Sequence, residues 1–269
     1  MEDAPVIGRV EISASPVIEP VEISASPVIE RVEISASLDH RWASLDHRSG
    51  STSAYSGSMK LTKHEHACMV IQKGGSLLVI DPGSFTLPLT ELDGVVAIVI
   101  THEHADHWTA EQLQRILDRN TGARIFGPAG VATAASDFAI ETVVHGDIIE
   151  VEPFHLQFFG EKHAVIHASI PLVDNVGVLI DDNFYYGGDS YTLPGVAVGT
   201  LAVPIGAPWL KIGEVMDYVT AIAPRQSIPV HEAPLSVIGQ NMANGRIETV
   251  TAAGGGSFFP LEPLQSLDL

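Results

Sequence analysis

The stretch Thr101-His102-Glu103-His104-Ala105-Asp106-His107 directly follows the apolar run Val95-Val96-Ala97-Ile98-Val99-Ile100. The run reads as a buried strand, so four possible metal ligands fall within six residues of one another, directly after a strand end. Imidazole nitrogens and a carboxylate are ligands that zinc, manganese and iron accept. With His102 and His104 two apart and Asp106 and His107 following, one turn can aim two ligands at one ion and two at a neighbour. A polar loop that merely happens to be rich in histidine is the bland alternative, and the strand context speaks against it.

Length and composition bound the rest. The chain has 269 residues, 45% of them hydrophobic and 17% charged, which is a globular composition with ample length for a core. No apolar stretch approaches the roughly 20 residues needed to span a bilayer, and the acidic N-terminus lacks the apolar segment of a secretory signal. Cys68 is the only cysteine, which excludes an internal disulfide and thiolate metal clusters. A cytoplasmic location is the default that follows. The net charge of −19 disfavours nucleic acid as a partner, because phosphate neutralisation underlies most such binding. A small-molecule substrate fits better, and oligomerisation is left open.

The chain opens on a tandem repeat: PVIGRVEISAS over residues 5–15, PVIEPVEISAS over 16–26 and PVIERVEISAS over 27–37. A shorter repeat pairs Ser37-Leu-Asp-His-Arg41 with Ser44-Leu-Asp-His-Arg48, and a Ser/Gly-rich linker follows. These units are too short for a solenoid. Residues 1–58 read as a disordered extension in which His40 and His47 are not ligands, and residues 59–269 as one domain with Met59 a natural start.

Within that domain, Lys60–Ile71 and Ser76–Ile80 flank Lys73-Gly74-Gly75 as a hairpin that ends at Asp81-Pro82-Gly83. His64 and His66 share a face if the first arm is a strand; His64 is expected at the surface and His66 in a pocket. A helix is expected over Trp108–Asp118 with Thr109 as its N-cap, and a second from Gly127 through Ala135. Glu141–Val144 and Ile148–Val151 read as a hairpin around His145, a turn residue. Val176–Ile180 and Phe184–Tyr186 read as another. Strands follow at Val196–Val203 and Ser227–Val230, with helices at Lys211–Ala223, stopped by Pro224, and around Leu235–Met242.

His102-x-His104-x-Asp106-His107 after a buried strand resembles the metallo-β-lactamase-fold superfamily of metal-dependent hydrolases. The resemblance extends to Gly160-Glu161-Lys162-His163, to Gly187-Gly188-Asp189-Ser190 and to Val230-His231, in the family's order, from about Met59 to the C-terminus. Pattern alone supports an α/β class with several hairpins. The resemblance implies a four-layer αββα sandwich with its ligands along one rim.

It also implies roles. His102, His104 and His163 would hold a first metal ion, Asp106, His107 and His231 a second, and Asp189 would bridge them, with Gly188 letting the backbone approach closely. One or two divalent ions are expected, zinc first and manganese or iron as alternatives, acting through a metal-bound hydroxide. Asp106 is the candidate to hold or relay the proton. His167 competes with His163 for the third motif and is otherwise a candidate proton donor to the leaving group. Trp209 and His66 are candidates to shape the pocket, and Lys211 is expected in solvent.

Trp108-Thr109 stands where glyoxalase II and the class B lactamases usually carry Gly, and no cysteine follows Asp189. His104 stands where flavodiiron oxidoreductases have Glu, which argues against redox iron. Ile80-Asp81-Pro82-Gly83 and Ala207-Pro208-Trp209-Leu210 look like the ascorbate-6-phosphate lactonase-like branch, which can run on one metal. The expected activity is hydrolysis of a small ester, lactone or phosphate ester. A phosphodiesterase or nuclease, or a metal-binding protein without turnover, is the alternative.

Overall fold

The computed structural model describes residues 58–269; the repeats before them, with His40 and His47, lie outside the described residues, as does the expectation of a disordered extension. Two seven-stranded sheets carry the fold. The first comprises β1 (Lys60–Lys63), β2 (Met69–Lys73), β3 (Ser76–Ile80), β4 (Val95–Val99), β5 (Arg124–Gly127), β6 (Ile140–Thr142) and β14 (Ser266–Asp268), in the order β14-β1-β2-β3-β4-β5-β6. The second comprises β7 (Ile148–Val151), β8 (Phe154–Phe159), β9 (Gly177–Ile180), β10 (Phe184–Tyr186), β11 (Thr200–Pro204), β12 (Gln226–Val230) and β13 (Ser257–Phe258), in the order β13-β12-β11-β10-β9-β8-β7. Helices α1 (Ala110–Arg119) and α2 (Ala129–Ala134) cover the first sheet, and α3 (Ile212–Ile222) and α4 (Val237–Ala253) the second.

Strand alternation explains the layers. Leu78, Ile80, Ala97 and Val99 of the first sheet meet Phe158, Val178, Ile180, Tyr186, Ala202, Ile228 and Val230 of the second in one central core. Their neighbours point the other way: Val79, Ile98 and Ile100 pack with Leu113 and Ile116 of α1, and Leu179, Tyr185, Leu201 and Val203 pack with Val215 and Val219 of α3. Covering both faces of each sheet is why β4 and β9 to β11 read as largely apolar runs rather than alternating ones. This is the αββα sandwich that the resemblance implies.

Local expectations fare unevenly. Thr109 caps α1, its side chain accepting from the Gln112 amide at 3.2 Å. The chain over 60–71 is not one strand: β1 and β2 pair antiparallel, Lys63 opposite Met69, and His64 and His66 lie in the turn between them. The expected hairpin around His145 is not one either, since β6 and β7 belong to different sheets and the His145 turn carries the chain across. The last helix is longer than Leu235–Met242, running to Ala253. The tail after it adds an edge strand to each sheet. No helix among the described residues is long and apolar enough to cross a membrane.

Candidate metal centre

The ends of β3, β4, β8, β10 and β12 meet at one rim, and each is followed within a few residues by a polar side chain of the centre. β3 and β4 are parallel with Ile80 opposite Val99, so the residues leaving them are neighbours. Asp81, fully buried, accepts from the Thr101 amide at 2.8 Å and from the Thr101 hydroxyl at 2.7 Å, and its Oδ2 lies 2.7 Å from His107 Nδ1. Gly83 lets the same turn back directly onto the histidine loop, since a Cβ there would stand 1.8 Å from the Asp106 carbonyl oxygen. Across the rim, β11 and β12 are parallel with Pro204 opposite Val230. That register sets the Gly206 carbonyl 2.6 Å from His231 Nδ1.

Three overlapping groups of possible ligand atoms result, each group lying within 4.8 Å: His102, His104 and His163; His66, Asp106, His107 and His231; and His102, His107 and Asp189. His102 Nε2 stands 3.1 Å from His104 Nδ1. Asp189 lies between the sets, with Oδ1 3.4 Å from His107 Nε2 and Oδ2 3.4 Å from His163 Nε2 and 3.1 Å from His231 Nε2. Asp106 Oδ2 faces the Nε2 atoms of His66, His231 and His107 at 3.1, 3.5 and 3.8 Å.

The histidines are held from behind. His107, His163 and His231 turn Nδ1 to the Asp81 carboxylate, the Ala164 carbonyl and the Gly206 carbonyl, and His102 turns Nδ1 to the Thr101 hydroxyl. Fixing one ring nitrogen this way sets the tautomer and aims the other inward. The Nε2 atoms of His107, His163 and His231 and Oδ1 of Asp189 are buried without a hydrogen-bond partner. Orphaned polar atoms of this kind cost about 1–3 kcal/mol each, and cations bound within these groups would satisfy them. The donor set therefore fits a divalent metal, and its wealth of imidazole suits zinc or iron better than magnesium or calcium.

The electrostatics agree. Burial pushes His102 and His104 down, aided by neighbouring histidines. At His231 burial also opposes charge, but Asp189 and Asp106 outweigh it and push the imidazole up to about 10. His107 is raised as well: burial opposes it, and Asp189 and Asp81 prevail. Burial likewise opposes ionisation of Asp189, yet His107 and His231 hold its carboxyl well below the usual range.

His102, His104, Asp106, His107, His163, Asp189 and His231 are thus brought together. His66, expected in the pocket, is fully buried and joins the cluster, its ring 3.9 Å from that of His231. His167 is not brought in: it is exposed and pairs with Ser169, so His163 is the histidine of that stretch at the centre. Trp209 is buried rather than lining a surface, and its indole N–H donates to Asp189 Oδ2 at 2.8 Å. Lys211 is exposed as expected and pairs with Glu214, whereas His64 is half-buried outside the cluster. Gly188, at φ 64°, gives close approach to Asn175 and Thr101, where a Cβ would clash, instead of to the ligand groups.

Two residues carry weight that the sequence reading missed. Asp81 was legible as the start of a turn and as part of the Ile80–Gly83 resemblance, but not as a partner of His107. Asn175, fully buried, accepts from the Asp189 amide at 3.1 Å and donates to the Gly187 carbonyl at 2.9 Å, which fixes the Asp189 loop. His66 and His231 both sit at φ 62°, a left-handed conformation that costs a residue with a Cβ roughly 1–2 kcal/mol. The His231 amide donates to the His66 carbonyl at 3.0 Å, which ties the two together. Glu232 Oε1 accepts from the His66 amide at 3.1 Å and from the buried Lys63 ammonium at 2.5 Å.

The same architecture is found elsewhere. The chain is 34% identical over 199 residues to the protein Rv0786c of Mycobacterium tuberculosis, covering 72% of this chain and 93% of that one. It is 28% identical over 206 residues to a UPF0173 metal-dependent hydrolase of Aeropyrum pernix, covering 66% and 84%. Among solved structures, the metallo hydrolase Igni18 of Ignicoccus hospitalis superimposes with a TM-score of 0.60 at 19% identity, over 79% of this chain and 98% of that one. A family model described as the beta-lactamase superfamily domain matches residues 60–231, the span from the first strand to the last histidine of the cluster, and the chain belongs to that superfamily.

Proposed function

We propose that the protein is a metal-dependent hydrolase of a small, uncharged ester or lactone. The observation that carries this reading is the ring of buried, partnerless ligand atoms on His107, His163, His231 and Asp189. His102, His104 and His163 would hold one ion, and Asp106, His107 and His231 a second, with Asp189 between them. A divalent ion so placed supplies Lewis acidity and brings the pKa of a water it binds to about 7. Zinc is the first expectation, with manganese or iron the alternatives, and a single ion the variant expected of a lactonase-like branch.

The chain's own groups do the rest. Trp209 and Asn175 hold Asp189 from its side chain and its backbone. Asp106 has 25% of its side chain exposed against 4% for Asp189, which makes it the carboxylate able to pass a proton to solvent. Burial opposes its ionisation, and the imidazoles of His231, His66 and His107 that face it overcome that and keep it in the accepting form.

The charge pattern favours an ester or lactone over a phosphate. Lys63 is committed to Glu232, Lys162 to Asp174 and Lys211 to Glu214. A phosphate substrate would have to draw these cations from their partners.

The test is metal content by plasma mass spectrometry, followed by turnover of a panel of lactones, carboxylic esters and phosphodiesters. The proposal expects one to two equivalents of metal, turnover of lactones or esters, and loss of that turnover in His104→Ala. Turnover of phosphodiesters alone would overturn the substrate class. Metal without turnover would leave a binding protein.

A further inference from the structure

We infer that His66 is a fourth protein ligand of the second ion position, so that this position is closed and the first alone stays open to water and substrate. The inference rests on the two-position reading above and adds an asymmetry to it.

The distances carry it. Zinc held tetrahedrally at about 2.0–2.1 Å from nitrogen or oxygen has neighbouring ligand atoms about 3.3–3.4 Å apart. Around Asp106 Oδ2, the Nε2 atoms of His66, His231 and His107 stand at 3.1, 3.5 and 3.8 Å, a spread that brackets that value. The ligand atoms of these four residues all lie within 4.8 Å of one another. The His66 ring is tilted 50° against that of His231, with the ring centroids 3.9 Å apart.

The backbone shows that the placement is held against cost. His66 and His231 both occupy the left-handed region, which disfavours residues bearing a Cβ. They are bonded to each other through the His231 amide. The Lys63–Glu232 pair, with Lys63 buried, fixes the His66 amide behind them. A histidine that merely filled the core would need neither the strained backbone nor a buried lysine to brace it.

Four protein ligands complete a tetrahedral site, whereas catalytic sites hold three and keep a position free. The second position has His66, Asp106, His107 and His231. The first has three of its own, His102, His104 and His163; Asp189 stands between the two positions and is counted toward neither, and His104 is half-buried at the rim. Water and substrate therefore enter on the His104 side.

The experiment is Co(II) titration of the full chain and of His66→Asn, a residue that tolerates the left-handed backbone. Hyperfine-shifted imidazole N–H signals are counted by NMR at saturation. The wild type should bind two equivalents. The variant should bind the first as before and the second at least tenfold more weakly, with one shifted N–H signal gone. His66→Gln serves if circular dichroism shows that the Asn variant is unfolded. A second equivalent bound within twofold of wild type would overturn the inference, and so would a full set of shifted signals, which would leave His66 as a hydrogen-bond partner of Asp106. Either result leaves the hydrolase reading standing. A wild type that binds no Co(II) overturns both.

Discussion

Asp81 Oδ2 and His107 Nδ1 lie 2.7 Å apart, and both side chains are completely buried. The carboxylate also accepts from the amide and hydroxyl of Thr101. One side chain thus fixes the start of the histidine loop and the orientation of a histidine six residues later.

Asp81→Asn should weaken metal binding roughly 10–100-fold, the usual cost of losing a carboxylate behind a ligating histidine. Asparagine tolerates the backbone at φ 44°, so the fold should persist. Competition against a chelator of known affinity, with circular dichroism as the control, reads this directly. Unchanged affinity would remove Asp81 from the centre.

Trp209→Phe keeps an aromatic ring against Tyr191, now 5.2 Å away between centroids, and removes the N–H donated to Asp189. Turnover should fall about tenfold or more, while thermal stability drops by only about 1 kcal/mol, the worth of one hydrogen bond. Steady-state rates and a melting curve on the same preparation separate the two effects. A loss of stability without a loss of rate would make Trp209 a packing residue only.

What was legible in the sequence divides along physical lines. His102 to His107 could be read because the candidate ligands lie within six residues and follow an apolar run that only a doubly covered strand explains. His163 and His231 could be placed through their order after strands. Asp81 and Asn175 could not, because a lone Asp before Pro-Gly, or a lone Asn, looks the same in an exposed turn as in a buried one. His66 could be read as a pocket residue, but its place among the candidate ligands could not, for a different reason. Its approach to Asp106 and His231 depends on a left-handed turn and on contacts across 40 and 165 positions of sequence, which no local pattern encodes. The supposed hairpin at His145 failed similarly: two short apolar segments around a turn do not reveal that the chain has changed sheets.

The metal-free protein should lose stability as pH rises from 7 to 10. His231 is pushed up to about 10 in the fold, against an ordinary value near 6.5 in the unfolded chain. A raised pKa stabilises fully below the unfolded value, and that contribution is lost as pH climbs through the folded one. His107 is raised too and acts in the same sense. His66, His102 and His104 are lowered, so their effect falls below pH 6.5, outside this window. Melting temperature of chelator-stripped protein should fall by at least about 5 °C between pH 7 and 10. The metal-loaded protein should fall less over the same range, since the ion and not a proton then faces the carboxylates.

Gly83 and Gly245 should respond oppositely to alanine. At Gly83 the added Cβ would stand 1.8 Å from the Asp106 oxygen, 2.1 Å from its carbon and 2.6 Å from the His107 nitrogen, all backbone atoms. Nothing flexible can yield, so the loop carrying both residues must move, and Gly83→Ala should cost about 3 kcal/mol or more together with the second metal equivalent. Gly245 lies in the middle of α4, exposed, with nothing within 4 Å of a Cβ. Gly245→Ala should stabilise by about 0.5–1 kcal/mol through helix propensity and raise the melting temperature by roughly 1–4 °C. Metal stoichiometry measured beside the melting curves makes the contrast specific. A Gly83→Ala protein that melts like wild type and still binds two equivalents would show that the Asp81-Pro82-Gly83 turn does not brace the centre.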